Sequence, residues 1–222
     1  MPIRFPTPRG PARWGQLILG LLGFGVAVPL MIRSGLGLGP WDAFHVGIHN
    51  LTGITVGTAS IVVGLVIVLA SYPLGVRPGS GTVANMVLIG VFIDLVLPRI
   101  QDASGWWVGL GYYAVGIGLA GLSTGMYIGA GLGSGPRDGL MIGLSSLRGW
   151  PVRRVRTFIE LSALAAGWAM GGAVGIGTVL FAVAIGPAVQ VGLQLFGVIE
   201  PSVAAAPGHP PRPARAARRR AA

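Results

Sequence analysis

Four acidic residues stand inside long apolar stretches of this sequence, where an ionisable side chain is costly. They are Asp42, Asp94, Asp138 and Glu160. At membrane depth such a group costs about 2.5–3.5 kcal/mol, and it usually lines a solute pathway or pairs with a partner. Each acid is therefore a candidate for binding a cation, carrying a proton or forming a structural ion pair.

Two of these acids end the same four-residue motif. The motif residues are Gly39, Pro40, Trp41 and Asp42 in one copy, and Gly135, Pro136, Arg137 and Asp138 in the other. Proline is favoured at the first position of a helix, glycine suits the position before it, and an acid in the first turn offsets the helix dipole. Helix capping explains both acids without a ligand. The alternative is that they line a central cavity and bind a cation or a proton-coupled solute.

The motif copies differ in charge, because Arg137 replaces Trp41. Arg137 is expected to make the cavity asymmetric, to pair with Asp138, or to extend to the cytoplasmic face. His45 and His49 follow Asp42 by three and seven residues, on one face of the short helix, and their counterparts are Met141 and Ser145. Since the second copy offers no paired ligands, we expect a polar stripe facing a wet cavity and no metal site.

The other two acids lie near arginines. Asp94 is close to a predicted helix end, where it is expected to pair with Arg99 or Arg33 or to relay protons. Glu160 follows Arg156 by four residues, the spacing of an ion pair on a helix surface, with a buried coupling role as the alternative.

Enzyme chemistry is not expected. The chain has no cysteine and three histidines, and no serine-centred nucleophile motif accompanies them. A phosphate-binding loop is also lacking, so the sequence predicts neither a cofactor nor ATP-driven work.

The motif belongs to an internal repeat. Residues 35–94 align without gaps on residues 131–190, a shift of 96 positions, and 20 of the 60 aligned pairs are identical. In an apolar membrane protein such a duplication indicates a transport pathway between the two copies.

Composition places the chain in a membrane. It is 52% apolar and 10% charged, with a mean hydropathy of +0.73, whereas a soluble domain has about 25% charged residues. Six stretches are long enough to span a bilayer, which predicts an all-α polytopic protein. They are residues 14–32, 56–74, 80–98, 106–128, 154–171 and 176–199. Small residues at Gly121, Gly125 and Gly129 have the spacing of a close helix–helix contact.

Each repeat also holds a short apolar segment, 40–51 in the first and 136–148 in the second. A helix of 12 residues rises about 18 Å, which is too short for a hydrocarbon core of about 30 Å. The segments are therefore predicted to re-enter, preceded by an extended stretch such as 35–39. Three crossings per repeat make the two repeats inverted, whereas four crossings, with the short segments spanning the bilayer, would make them parallel.

Charge predicts the orientation. All 16 basic residues are arginines, and 14 of them fall in loops and tails on the side that holds the N-terminus, which the positive-inside rule makes cytoplasmic. The predicted organisation is a basic cytoplasmic N-terminus (1–13), repeat 1 (14–105), repeat 2 (106–200) and a disordered cytoplasmic tail (201–222), in a bacterial inner membrane.

Several motifs together resemble a known family. The stretch Arg33-x-Gly-Leu-Gly-x-Gly-Pro-Trp-Asp42 is followed by Gly79-x-Gly-Thr82 and Phe92-Ile-Asp94. These resemble the YczE-type branch of the YczE/YitT group of bacterial integral membrane proteins over residues 14–199. The resemblance implies a polytopic membrane protein and supplies no substrate.

The sequence thus favours a transporter or permease-like protein that moves a small solute or ion through a site between the repeats. The alternative is a non-transporting membrane scaffold or regulator that binds a protein partner. Expected partners are the lipid bilayer, the solute or ion and, as an open possibility, a second copy of the chain. Nucleic acid is not expected.

Overall fold

The computed structural model describes residues 10–133 and 135–199, and within them the regular elements are helices. The long and short α-helices are α1 Ala12–Arg33, α2 Pro40–Thr52, α3 Val56–Ser71, α4 Ser80–Val96, α5 Trp106–Gly129, α6 Pro136–Arg148, α7 Val152–Ala169 and α8 Ile176–Leu195. The predicted tail, 201–222, and residues 1–9 of the predicted N-terminus lie outside the described residues.

Four of the described helices are long and apolar enough to cross a membrane: α1, α3 with its following turn, α4 with its following turn, and α8. The all-α membrane class is therefore confirmed. Two of the six expected spans, α5 and α7, fall outside this group. Seven glycines lower the hydropathy of α5, and α7 carries four charged residues. The count of six crossings stays a prediction.

Helices α2 and α6 are the two short segments expected to re-enter. Each has 13 residues and is therefore about 20 Å long. Pro40 and Pro136 are their first residues, and an extended glycine precedes each. Each helix ends before a glycine with a left-handed backbone, Gly53 at φ 76° and Gly149 at φ 64°. Proline starts and glycine ends are local signals, which explains why the sequence located both helices closely.

The segment before α2 differs from the extended stretch expected over residues 35–39. Gly35 and Gly37 have φ values of 69° and 104°, so the chain bends there. The bent segment is fastened to the stretch before α8: the N–H of Leu38 donates to the Ala173 carbonyl at 2.9 Å. A β-carbon at Gly37 would lie 2.4 Å from the Gly175 nitrogen, so the two backbones touch.

The helices of the two halves interlock. Helix α1 packs against α4 and α5, and α5 packs against α8. Helix α2 lies on α7 and α3, while α6 lies on α3 and α7. Along α5, Gly121 and Gly125 let the backbone of α8 approach, as their spacing predicts, and a β-carbon at Gly125 would lie 2.1 Å from the Gly192 carbonyl carbon. Such close packing replaces the hydrophobic effect as the force between helices in lipid.

Candidate functional site

A cavity of about 440 Å³ lies where the two short helices α2 and α6 begin, and these two helices are called the half-helices below. It brings together the predicted motif residues of both halves: Pro40, Trp41, Asp42 and His45 from the first, and Gly135, Pro136, Arg137 and Asp138 from the second. Gly39 is outside the lining, and a β-carbon there would lie 3.0 Å from the ring of Phe181. The structure therefore brings the two copies of the motif together around one cavity.

Each half-helix is held in place by the other half of the chain. Helix α2 rests on α7, and α6 rests on α3. Matching backbone hydrogen bonds fasten the segments that lead into them. The N–H of Gly177 donates to the Leu36 carbonyl at 2.7 Å, and the N–H of Gly81 donates to the Leu132 carbonyl at 2.9 Å. The two donor residues are 96 positions apart, and so are the two acceptor residues.

The cavity lining follows the same shift of 96 positions. Nine equivalent pairs supply 18 of the 27 lining residues. These pairs are 31/127, 40/136, 41/137, 42/138, 45/141, 60/156, 64/160, 85/181 and 89/185. The cavity therefore lies between the two halves and draws on the same positions of each.

Residues 41 and 137 contact each other across this cavity. The guanidinium carbon of Arg137 lies 4.6 Å from the centroid of the Trp41 ring, a cation–π geometry. The ring of Phe44 meets Trp41 edge-on, with centroids 6.5 Å apart. Arg137 also interacts electrostatically with Asp42 and Asp138. Of the alternatives that the sequence left open for Arg137, the structure places it inside the cavity.

Asp42 and Asp138 are the third residues of α2 and α6 and line the cavity as well. Asp42 is 7% exposed. The capping residue of each half-helix is a glycine, which has no side chain to accept a hydrogen bond, so the acids supply the negative charge at these helix starts. The same two carboxylates therefore lie at the starts of the helices and line the cavity.

Two ring nitrogens beside these acids are buried without a hydrogen-bond partner in the described part of the chain. They are Nε1 of Trp41 and Nε2 of His45, and His45 is only 1% exposed. His49 is outside the cavity, with its Nδ1 2.6 Å from the Ile54 carbonyl oxygen. The polar stripe expected along α2 is therefore split, and only its first two members face the cavity.

Arg156 and Glu160 form an ion pair with 2.9 Å between Nε and Oε1, and both line the cavity. The spacing of four residues predicted this ion pair, but it did not predict that the pair lines the cavity. Sequence reasoning also missed Tyr127, which lines the cavity together with Thr124 and Asn85.

Asp94 requires a correction. Its carboxylate accepts hydrogen bonds from Thr55 Oγ1 at 2.5 Å and from the Gly57 N–H at 2.7 Å, at the start of α3. Arg99 instead donates to the Leu95 carbonyl, and Arg33 pairs with Asp102 at 2.9 Å. The expected pairing of Asp94 with Arg99 or Arg33 is wrong, because the unpaired N–H groups of a helix start lie closer. Asp94 is not in the cavity lining.

A chain whose described residues form helices, several of them apolar enough to cross a membrane, around a cavity that holds charged side chains is an integral membrane protein. Residues 11–193 match the "Family of unknown function (DUF6198)", and the chain belongs to this family.

Two relatives are similar over most of their length. One is "Uncharacterized membrane protein YczE" of Bacillus subtilis (strain 168), which is 42% identical and aligns over 78% of this chain and 82% of its own. The other is an "Uncharacterized protein" of Haemophilus influenzae, which is 34% identical over 81% of this chain and 82% of its own. The YczE-type resemblance is confirmed. No solved structure matches the chain.

Proposed function

We propose that the protein is a transporter or permease-like protein that moves a small solute or ion through the cavity between its two halves. The observation that carries this proposal is the meeting of two half-helix starts, with Asp42 and Asp138, in one cavity of about 440 Å³. Non-helical backbone at membrane depth is tolerated where it is buried in protein or lines a cavity. A protein that only held a partner would have no use for this arrangement.

The proposed topology has six crossing helices and two re-entrant half-helices. Helix α5 has 24 residues and α7 has 18, which give lengths of about 36 Å and 27 Å and are sufficient to cross or nearly cross a core of about 30 Å. Helices α2 and α6 are too short to do so. The charged residues of α7 favour its first turns lying at the cytoplasmic surface.

We further propose that the two halves are inverted repeats. Support comes from the exchange of partners, since each half-helix rests on the other half, and from the paired backbone hydrogen bonds at positions 36/177 and 132/81. On the distribution of the arginines in loops and tails, we propose that both termini lie in the cytoplasm of a bacterial inner membrane. Without an ATP-binding motif, the solute would move down its gradient or with a coupled ion.

Flux through proteoliposomes tests the proposal. Protein reconstituted into liposomes should let at least one member of a panel of small ions, amines, acids and neutral solutes pass faster than empty liposomes do. Asp42→Asn and Asp138→Asn should reduce that flux at least tenfold, since both carboxylates line the pathway. Asp102→Asn is the matched control, because Asp102 is 80% exposed and lies outside the cavity. Equal flux in all three variants would contradict the proposal.

A further inference from the structure

We propose that the central cavity takes a small organic cation with an apolar body, held by the face of Trp41 and by the carboxylates of Asp42 and Asp138. Arg137 competes with this cation for the same groups. The inference rests on the proposed function, because it names the class of solute that the pathway accepts.

The charges that line the cavity favour a cation over an anion. The lining has three carboxylates, on Asp42, Asp138 and Glu160, and two guanidinium groups, on Arg137 and Arg156. Arg156 is already paired with Glu160. Arg137 therefore faces two carboxylates, which leaves one negative charge in excess, and the positive ends of α2 and α6 offset only part of it. A bound anion would be repelled by this excess negative charge, and both arginines of the lining already face carboxylates.

The face of Trp41 already receives a cation in this structure. The guanidinium of Arg137 lies over it at 4.6 Å, so the ring is oriented for cation–π binding. His45 adds a buried Nε2 atom with no partner among the described residues. In the tautomer protonated at Nδ1, this nitrogen can accept an N–H group of a bound cation. Together with the two carboxylates, the face of Trp41 and the Nε2 acceptor of His45 suit the head group of an ammonium, amidinium or guanidinium ion.

Most of the remaining lining is apolar and suits a carbon body. It includes Phe24, Met86, Ile89, Phe181 and Ile185. A volume of about 440 Å³ falls in the range of pockets for small organic molecules, about 300–1,000 Å³. An inorganic cation would find several oxygen ligands at the carboxylates and none along the apolar walls. Both size and lining therefore favour an organic cation.

Calorimetric titration of the full chain in lipid nanodiscs tests the class of ligand. Benzamidinium, benzamide and benzoate share one ring and differ mainly in charge, positive, neutral and negative. We expect benzamidinium to bind at least tenfold more tightly than benzamide, and benzoate to bind more weakly than either. Tightest binding of benzoate, equal binding of the three, or binding of none would overturn the inference.

Variants of Arg137 make the test sharper. Because Arg137 competes with the ligand, Arg137→Ala should lower the Kd of benzamidinium about three- to thirtyfold. Arg137→Gln, which keeps more of the side-chain volume, should act in the same direction if the alanine variant does not fold. Asp42→Asn should raise the Kd at least tenfold. Arg99→Ala, outside the cavity, is the control and should leave the Kd unchanged. Loss of benzamidinium binding in both Arg137 variants would contradict the claim that Arg137 competes with the ligand.

Binding and flux separate the two proposals. If benzamidinium binds as expected and no solute crosses proteoliposomes, the cation site stands and the transport proposal fails. If an anion or a neutral solute crosses, and Asp42→Asn stops it, transport stands and the cation site fails.

Discussion

The guanidinium of Arg137 lies 4.6 Å from the ring centroid of Trp41, and these two residues are 96 positions apart, the shift of the predicted internal repeat. Each is the second residue of a half-helix, one residue before its acid. The contact therefore joins the starts of α2 and α6 directly. A symmetric repeat would place like residues together at this contact, whereas this chain places a cation on an aromatic face.

Exchanging the two residues should preserve their contact. Trp41→Arg alone sets two arginines side by side, and Arg137→Trp alone removes the cation. The double variant restores a cation on a ring, so its free energy of unfolding should exceed the sum expected from the single variants by about 1 kcal/mol. Unfolding of the four proteins in one detergent measures this coupling.

A matched control is Trp107→Arg, since Trp107 is 80% exposed and outside the cavity. It should show no coupling with Arg137→Trp. Strictly additive effects of the exchange at positions 41 and 137 would contradict the cation–π contact.

Asp94 should matter for stability and not for ligand binding. Its carboxylate accepts hydrogen bonds from the Thr55 hydroxyl and from the Gly57 N–H at the start of α3. Asp94→Ala should lower the free energy of unfolding by about 1–2 kcal/mol, the usual cost of a lost helix cap, and Asp94→Asn by less, because its amide oxygen still accepts one bond. Denaturant unfolding measures both variants. Asp94→Asn with wild-type stability and abolished flux would instead indicate a proton relay.

Glycine at position 125 should be required for the contact between α5 and α8. A β-carbon there would lie 2.1 Å from the Gly192 carbonyl carbon, so Gly125→Ala forces the helices apart. We expect a loss of about 1–3 kcal/mol in unfolding free energy. Gly118→Ala on the same helix is the control, because nothing lies within 4 Å of its added carbon. Equal stability of the two variants would show that α5 and α8 do not pack this closely.

Local signals made the half-helices predictable from the sequence. Proline at positions 40 and 136 and glycine at 53 and 149 mark their bounds, and the repeat of the motif indicated that the two starts belong to one site. These features depend on residues near in sequence, where proline and glycine restrict the backbone strongly.

Contacts between distant residues were not predictable in the same way. Asp94 had arginines within reach by sequence, but the packing of α4 against α3 brings it to Thr55 and Gly57. The stacking of Arg137 on Trp41 likewise depends on how α2 and α6 face each other. A single sequence gives the types of these residues and their spacing, whereas helix packing selects the partners.

The central claim is that the two half-helices enter from opposite sides of the membrane and begin in one cavity. Leu51 and Leu147 are equivalent residues near the far ends of α2 and α6, 68% and 66% exposed, and the chain has no native cysteine. Leu51→Cys and Leu147→Cys should each be treated with a membrane-impermeant thiol reagent from one side at a time. Inverted halves predict that Leu51→Cys reacts only from outside the cell and Leu147→Cys only from the cytoplasm. Reaction of both from the same side would contradict the inverted arrangement and the pathway built on it.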